Sequence, residues 1–271
     1  MSDSLFARFL LVLAALAVGC VPDPGDPAPT SNDDDSTSVS ELFAVAGQWV
    51  QPDGEPVEGI SVTVSTEACI ADVTDSAGVF RVLDVSPGPK RLITYGSTAE
   101  YRWPSVAFAF EAPDDGDDFS FSAAMTLPTL DVGVSVDMEA TDTQTVGLGV
   151  GAELSFNAGA LQLAPLADPL LRSGSIPPAS ATWFSDLPQD TLAVFAAEPI
   201  LSRFEPAAHL RLPVEGTGAG DRLALWSIDY ATGLFVQEAT LLVDDEGVAS
   251  TDSGGLVNLG WHALAPVEET R

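Results

Sequence analysis

Gln51-Pro52-Asp53-Gly54-Glu55-Pro56-Val57-Glu58-Gly59 and Thr74-Asp75-Ser76-Ala77-Gly78 are the two turn blocks whose reading decides the fold. Each lies between short runs in which apolar and polar residues alternate. Val62 and Val64 alternate with Ser61, Thr63 and Ser65 before the second block, and Val79, Phe80, Val82, Leu83 and Val85 follow it. Period-two alternation marks strands with one buried face, and Pro/Asp/Gly clusters between them mark chain reversals. Outward from Phe43–Tyr95 the same short strands and turns recur, and no window after Cys20 keeps a 3.6-residue period. Twenty prolines and 23 glycines in 271 residues break any long helix. The chain is predicted to be all-β, with two β-sandwich domains at residues 42–127 and 128–267.

Within the first of these, Gly47 to Val64, centred on Asp53-Gly54-Glu55-Pro56-Val57-Glu58-Gly59-Ile60, resembles the opening of the carboxypeptidase regulatory-like domain. The likeness continues through Thr74-Asp75, Gly78, Phe80, Leu83, Val85, Pro87-Gly88 and the run Arg91–Tyr95. It covers residues 42–127, under a third of the chain. The resemblance implies a small transthyretin-like β-sandwich of about seven strands. In that family the module is a non-catalytic appendage, so packing or binding is implied rather than chemistry.

Beyond Pro128 the strand pattern continues at Leu130–Val136, Val146–Phe156, Leu192–Phe195, Leu210–Val214 and Leu223–Ile228. Asp229-Tyr230-Ala231-Thr232-Gly233 and Asp244-Asp245-Glu246-Gly247 read as hairpin turns. Gly151–Ala160 together with Trp226–Val236 faintly resembles ZU5-like sandwich domains. Leu161–Ser180, with Pro165, Pro169, Pro177 and Pro178, is expected to hold a short helix or a long loop.

Residues 1–20 read as an export signal: Arg8 precedes ten uninterrupted apolar residues, Phe9–Val18. A bilayer span needs about 20 such residues, whereas a signal-peptide core needs about half that. The run closes at Leu16-Ala17-Val18-Gly19-Cys20, which resembles the bacterial lipobox, with Leu16 one position further upstream than in that motif. The resemblance implies that Cys20 is diacylated and becomes the mature N-terminus, on the outer membrane because Val21 rather than aspartate follows it. An ordinary signal peptide with a chance cysteine is the competing reading. Residues 21–41 carry Pro22, Pro24, Pro27, Pro29 and the run Asp33-Asp34-Asp35, and form an acidic, disordered tether with no apolar surface to repay ordering. At about 3.1 Å per residue, such a tether holds a domain up to roughly 60 Å from its anchor. Cys69, in Ala68-Cys69-Ile70-Ala71, is expected to be a buried small hydrophobe rather than a reactive thiol.

Forty acidic residues against ten basic ones give a formal net charge of −30. The surface would repel nucleic acid, so no nucleic-acid partner is expected, and the charge serves solubility. Zinc-peptidase chemistry needs two histidines and a glutamate at fixed spacing, and His209 and His262 stand in no such frame. Thr251-Asp252-Ser253-Gly254-Gly255 resembles the serine loop of chymotrypsin-like proteases, but no histidine stands in the context a triad needs. Asp252-Ser253-Gly254 lacks the second copy that an aspartic dyad requires. Asp114-Asp115-Gly116-Asp117-Asp118 and Asp244–Gly247 lack calcium-loop spacing and read as solvated turns. No enzyme activity, cofactor or metal is expected.

Aromatics are the remaining lead. Trp49, Trp183, Trp226 and Trp261 sit in strand-like runs and are expected in the core. Tyr95, Tyr101 and Trp103 fall in one loop with Gly96, Ser97 and Arg102, where flat rings beside polar groups suit a sugar face. The sequence therefore points to a lipid-anchored, non-catalytic envelope protein acting in adhesion, scaffolding or ligand binding. Its partner is the membrane, through the anchor, plus an envelope protein or a polysaccharide. Carbohydrate binding by the Tyr95/Tyr101/Trp103 loop is the alternative. The 42–127 segment is expected to show cooperative unfolding when expressed alone, and a non-cooperative fragment would count against two separate domains.

Overall fold

Two aspartates show how the turns form. Asp75 Oδ1 accepts the N–H groups of Ala77 and Val79 at 2.8 and 2.9 Å, while Gly78 takes φ 73°. Asp244 repeats the device: its Oδ1 accepts from Glu246 and Val248, both at 2.9 Å, and Gly247 takes φ 77°. A short carboxylate bonded to its own backbone fixes such a turn, and glycine enters the left-handed region without a Cβ penalty. Part of the negative charge therefore serves chain reversal.

The computed structural model describes residues 42–65, 70–96, 102–113, 117–165 and 167–267. Cys20, the 21–41 tether, Cys69, Tyr101 and Asp114-Asp115-Gly116 lie outside the described residues. The protein is all-β. Its first half comprises β1 (Phe43–Val50), β2 (Ser61–Ser65), β3 (Ile70–Val73), β4 (Val79–Val85), β5 (Gly88–Tyr95), β6 (Val106–Ala112), β7 (Phe119–Ser120) and β8 (Met125–Thr126). These make two four-stranded sheets, β4-β1-β7 with β8 also on β1, and β3-β2-β5-β6. Val45, Trp49, Phe80 and Val82 of one sheet share a core with Val62, Val64, Leu92 and Phe108 of the other. A bulge at Leu83-Asp84, where Asp84 takes φ 60°, returns Val85 to that core after Phe80 and Val82 and leaves Leu83 outside.

The second half runs through β9 (Val134–Ser135), β10 (Gln144–Gly147), β11 (Glu153–Phe156), β12 (Leu161–Gln162), β13 (Leu170–Ile176) and β14 (Ala193–Glu198). It continues with β15 (Arg203–Pro213), β16 (Arg222–Asp229), β17 (Leu234–Val243), β18 (Val248–Ser253), β19 (Leu256–Asn258) and β20 (Trp261–Pro266). All belong to one twelve-stranded sheet in the order β10-β11-β15-β18-β17-β16-β20-β14-β13-β9, with β12 and β19 on β15. The sheet curls around a core of its own, which includes Leu154, Phe156, Leu171, Phe195, Phe204, Leu225 and Leu241. Its two ends approach at Gln144: the side-chain Nε2 donates to Asp137 O at 2.8 Å, and Oε1 accepts from Asp137 N at 3.0 Å. The amide stands in for a ladder partner and covers a bare edge. The second half is thus a single long sheet, curled so that it encloses one core.

The Leu161–Ser180 segment carries β12 and β13 in place of the expected short helix or long loop, with only Pro178–Ser180 forming a 3-10 turn. Its prolines flank β13 rather than interrupt it, so every ladder N–H of that strand is retained. The connection from β13 to β14 then wedges between the halves. Trp183 packs edge-on against Trp49 at 5.3 Å, Phe108 at 5.2 Å and Trp261 at 5.6 Å, and Phe184 packs against Phe235 at 5.1 Å. Edge-to-face pairs of this kind add about 0.5–1.5 kcal/mol each beyond area burial.

Strands β14 and β20 are buried on both faces. Val194, Ala196, Trp261 and Ala263 belong to the core shared with the first half, while Phe195, Ala197 and Leu264 belong to the core of the curled sheet. A strand covered on both sides must be apolar at every position, which Val194-Phe195-Ala196-Ala197 and Trp261–Ala265 satisfy save for His262. Among the described residues no strand pairs across Leu127, yet one core runs across it. Trp261→Ala should cost the full chain about 3–5 kcal/mol through the cavity left at this centre. Urea denaturation followed separately by probes in each half should show both losing stability together.

Candidate functional site

The aromatic loop divides between surface and interior. Tyr95, the last residue of β5, is half-buried, and burial raises its phenol pKa against the opposing pull of Arg91. Trp103 is only 7 % exposed and belongs to the shared core, with the Arg102 guanidinium carbon 5.3 Å from its ring centroid. The third ring of the set, Tyr101, lies outside the described residues. Trp103 thus packs against protein, and its burial leaves little ring face for a sugar.

Residues with catalytic potential are placed apart. His209 is exposed on β15, opposite Ser155. His262 is fully buried on β20, its Nδ1 2.7 Å from Ser227 Oγ and its ring 4.9 Å from Phe195. Burial drives the His262 pKa down to about 3, so the ring is neutral. Ser227 also hydrogen-bonds Glu238, whose carboxyl pKa is raised by burial while Asn258 Nδ2 donates to it at 2.7 Å. Ser227 is itself only 3 % exposed, so the array is a polar filling between strands. Asp252, beside Ser253, pairs with Arg222 at 2.8 Å. In the first acidic turn, Asp118 accepts from Ala44 N at 2.8 Å and pairs with Arg81 at 2.6 Å, and its pKa is lowered by these contacts. Among the described residues no group of three or more His, Cys, Asp or Glu side chains is arranged to hold a metal.

The structure adds two features that the sequence did not single out. One is a groove of about 440 Å³ between the halves, lined by Gln51–Asp53 from the first turn block, Pro128–Asp131, Gly149, Val150 and Ser173–Ser175. Asp131 builds its floor. Oδ1 accepts from Gly133 N at 2.9 Å and Ser173 N at 3.2 Å, and Oδ2 accepts from Gly149 N at 2.7 Å and Ser173 Oγ at 3.0 Å. One carboxylate therefore pins the linker, the β10–β11 turn and β13. No lysine or arginine lines the groove, whose exposed polar groups include the Thr129 and Ser175 hydroxyls and the Asp53 carboxylate.

The second feature is a polar pin through the apolar junction. Ser105 N donates to Glu198 Oε1 at 2.6 Å, and its hydroxyl also bonds that carboxyl. Ser105 O accepts from Trp261 Nε1 at 2.9 Å and from the Tyr230 hydroxyl at 3.2 Å. Glu198 Oε2 accepts from Ile200 N at 2.7 Å. Nearby, Ala109 N donates to Gly233 O at 3.1 Å and Arg91 Nη1 to Tyr230 O at 2.7 Å. Glu198 could have been suspected from the sequence, because an acid closing the apolar run Ala193–Ala197 has to find partners inside the fold.

Asp131→Ala would strand three backbone N–H groups and the Ser173 hydroxyl, and should cost about 2–4 kcal/mol. Thermal denaturation should show this loss with little dependence on salt, since the bonds are direct contacts and three of the four are partly buried.

No protein-family profile matches the chain. No curated protein matches it either. Two solved structures show a distant likeness, those of BcpA, the major pilin subunit of Bacillus cereus, and of a point variant of that pilin. The variant is 12 % identical with a TM-score of 0.26, and the alignment covers 85 % of this chain and 60 % of the pilin. The unaltered pilin is 11 % identical with a TM-score of 0.25, at the same coverage. The chain therefore spans less than two thirds of either pilin, and at these TM-scores nothing of the pilin's role transfers to it.

Proposed function

We propose that the protein is a non-catalytic component of a bacterial cell envelope, lipid-anchored through Cys20, that binds or scaffolds a partner with its β-sheet domains. The observation that carries this reading is the order of segments. An apolar run ends at a cysteine, an acidic proline-rich tether follows, and an all-β body begins at Phe43. One acyl chain holds a protein only marginally and reversibly, whereas two hold it firmly at about 0.8 kcal/mol per buried CH₂. The negative charge of the tether keeps it off anionic headgroups.

The reading of binding rather than chemistry is supported by how the reactive side chains are employed. His262, Glu238 and Ser227 fill space between strands, Asp252 balances Arg222, and Asp75 and Asp244 close turns. The groove between the halves is the concave surface best suited to a partner. With hydroxyls, an exposed carboxylate and no cation in its wall, it suits a neutral or cationic polar chain and disfavours an anionic one. In the alternative, carbohydrate binding by Tyr95, Tyr101 and Trp103, the Trp103 ring lies in the core, so Trp103→Ala would remove packing along with any contact.

Expression of the full chain and of Cys20→Ser in a lipoprotein-processing bacterium tests the anchor. Mass spectrometry of the mature protein should find an N-terminal diacylated Cys20, and Cys20→Ser should accumulate as unprocessed precursor in the membrane fraction. An unmodified mature N-terminus at any other residue would sink the reading.

A further inference from the structure

We propose that the groove between the halves takes an extended, basic peptide segment, which adds to β13 as a further strand at Ser175. The proposal rests on the reading of this groove as the partner site. β13 pairs with β14 along one edge and with β9, at Leu170 and Leu171, along the other. In an antiparallel ladder the N–H and C=O of one residue point to the same edge, and successive residues alternate between edges. Ser173 bonds Asp131 on the β9 edge: its O accepts from Asp131 N at 2.9 Å, and its N donates to Asp131 Oδ1 at 3.2 Å. Ser175, two positions on and in unbroken register with Phe195, therefore turns its N–H and C=O to that same edge. It is exposed, and among the described residues neither group has a partner.

The linker leaves this edge bare. The chain before β9 lies antiparallel to β13, with Asp131 N on Ser173 O, so the same register would set Thr129 opposite Ser175. Leu130 N is instead bonded to Arg102 O at 2.9 Å, and Thr129 and Pro128 cross the face of β13. A Cβ on Gly174 would stand 2.9 Å from Thr129 O and 3.0 Å from Pro128 Cβ, so the crossing needs a glycine there. The position in the sheet beside Ser175 is thereby left to the groove, whose volume of about 440 Å³ lies in the range of ligand sites.

A donor and an acceptor side by side on an unpaired edge are complementary to the backbone of another extended chain, which repeats that pair at strand spacing. The rail is short. Asp131 has taken Ser173 at one end, and Pro177 has no N–H at the other. One guest residue can make both bonds, so the side chains carry the selection. The residue opposite Ser175 shares a face with Ser173, whose Oγ accepts from Val150 N at 3.3 Å, and so it meets Val150. Its two neighbours point to the other face, toward Pro128 and the first turn block, where Asp53 is exposed. An apolar residue between basic ones fits this wall. No lysine or arginine lines the groove, and Arg102, beside the linker, is turned over the Trp103 ring at 5.3 Å. The net charge of −30 would repel an acidic segment on approach, so charge selects the guest and speeds its arrival more than it holds it.

The test uses the full chain in detergent. The probes are a capped pentapeptide of alternating valine and lysine, its fully N-methylated form, the same peptide with glutamate for lysine, and a neutral glucan hexasaccharide. Hydrogen exchange should show the Ser175 amide slowed roughly tenfold by the lysine peptide, the worth of one backbone hydrogen bond, with the Gly174 amide unchanged. The other three probes should leave Ser175 unprotected. Asp53→Asn should weaken binding of the lysine peptide about two- to fivefold. Binding of the lysine peptide without protection of Ser175, or equal protection by the N-methylated or glutamate form, would overturn the proposal. Protection by the glucan and by no peptide would refute this guest while keeping the groove as the partner site. If no probe reaches the groove, guest and groove both fail, whereas the Cys20 anchor, read separately by mass spectrometry, is untouched.

Discussion

Everything in this structure depends on a pair of strands that have no solvent face. β14 and β20 separate two cores, and each of their residues has to satisfy one or the other. Trp261 fills the shared core while Leu264, three residues on, fills the interior of the curled sheet. Such strands fix register severely, because a slip of one residue would exchange the two sets and strand a tryptophan in the wrong core. The wedge of Trp183 and Phe184 is meaningful only against this layer, since it closes the space that two curved sheets cannot fill by themselves.

Electrostatics takes an unusual form in so acidic a chain. The surface carboxylates have few cations to meet, and ion pairs such as Arg81–Asp118, Arg203–Glu205 and Arg222–Asp252 join largely exposed partners and contribute little each. The carboxylates instead bond backbone N–H groups, in surface turns for Asp75 and Asp244 and inside the fold for Asp131 and Glu198. The backbone becomes the counter-charge. This ties many loops to aspartate and makes the interior bonds insensitive to salt even where the surface is not.

The parts of this fold legible in the sequence are those set by local chemistry. The Asp75–Gly78 and Asp244–Gly247 turns, the alternation of Phe80 and Val82, and the burial of Trp49 and Trp261 all follow from neighbours in the chain. β13 was missed because four prolines around Leu170–Ile176 suggest irregular chain, whereas they stand at its ends. Trp103 looks like a loop aromatic because glycine, serine and arginine surround it, but it is claimed by packing partners that reach it from other strands. The groove and the Ser105–Glu198 pin were beyond reach for the same reason. Their members are separated by 93 positions in the pin alone, and no local pattern encodes a meeting at that range.

The placement of β1 has a mechanical consequence. The described chain enters at Leu42 and passes directly into β1, which pairs antiparallel with β4 on one side and parallel with β7 and β8 on the other. A pull delivered through the preceding residues acts along β1, so it loads these hydrogen bonds together in shear rather than unzipping them one by one. Resistance to such a pull is governed by the rate of unfolding, not by equilibrium stability. Trp49, near the far end of the same strand and wholly buried against Trp183, would be the last side chain dragged through the core.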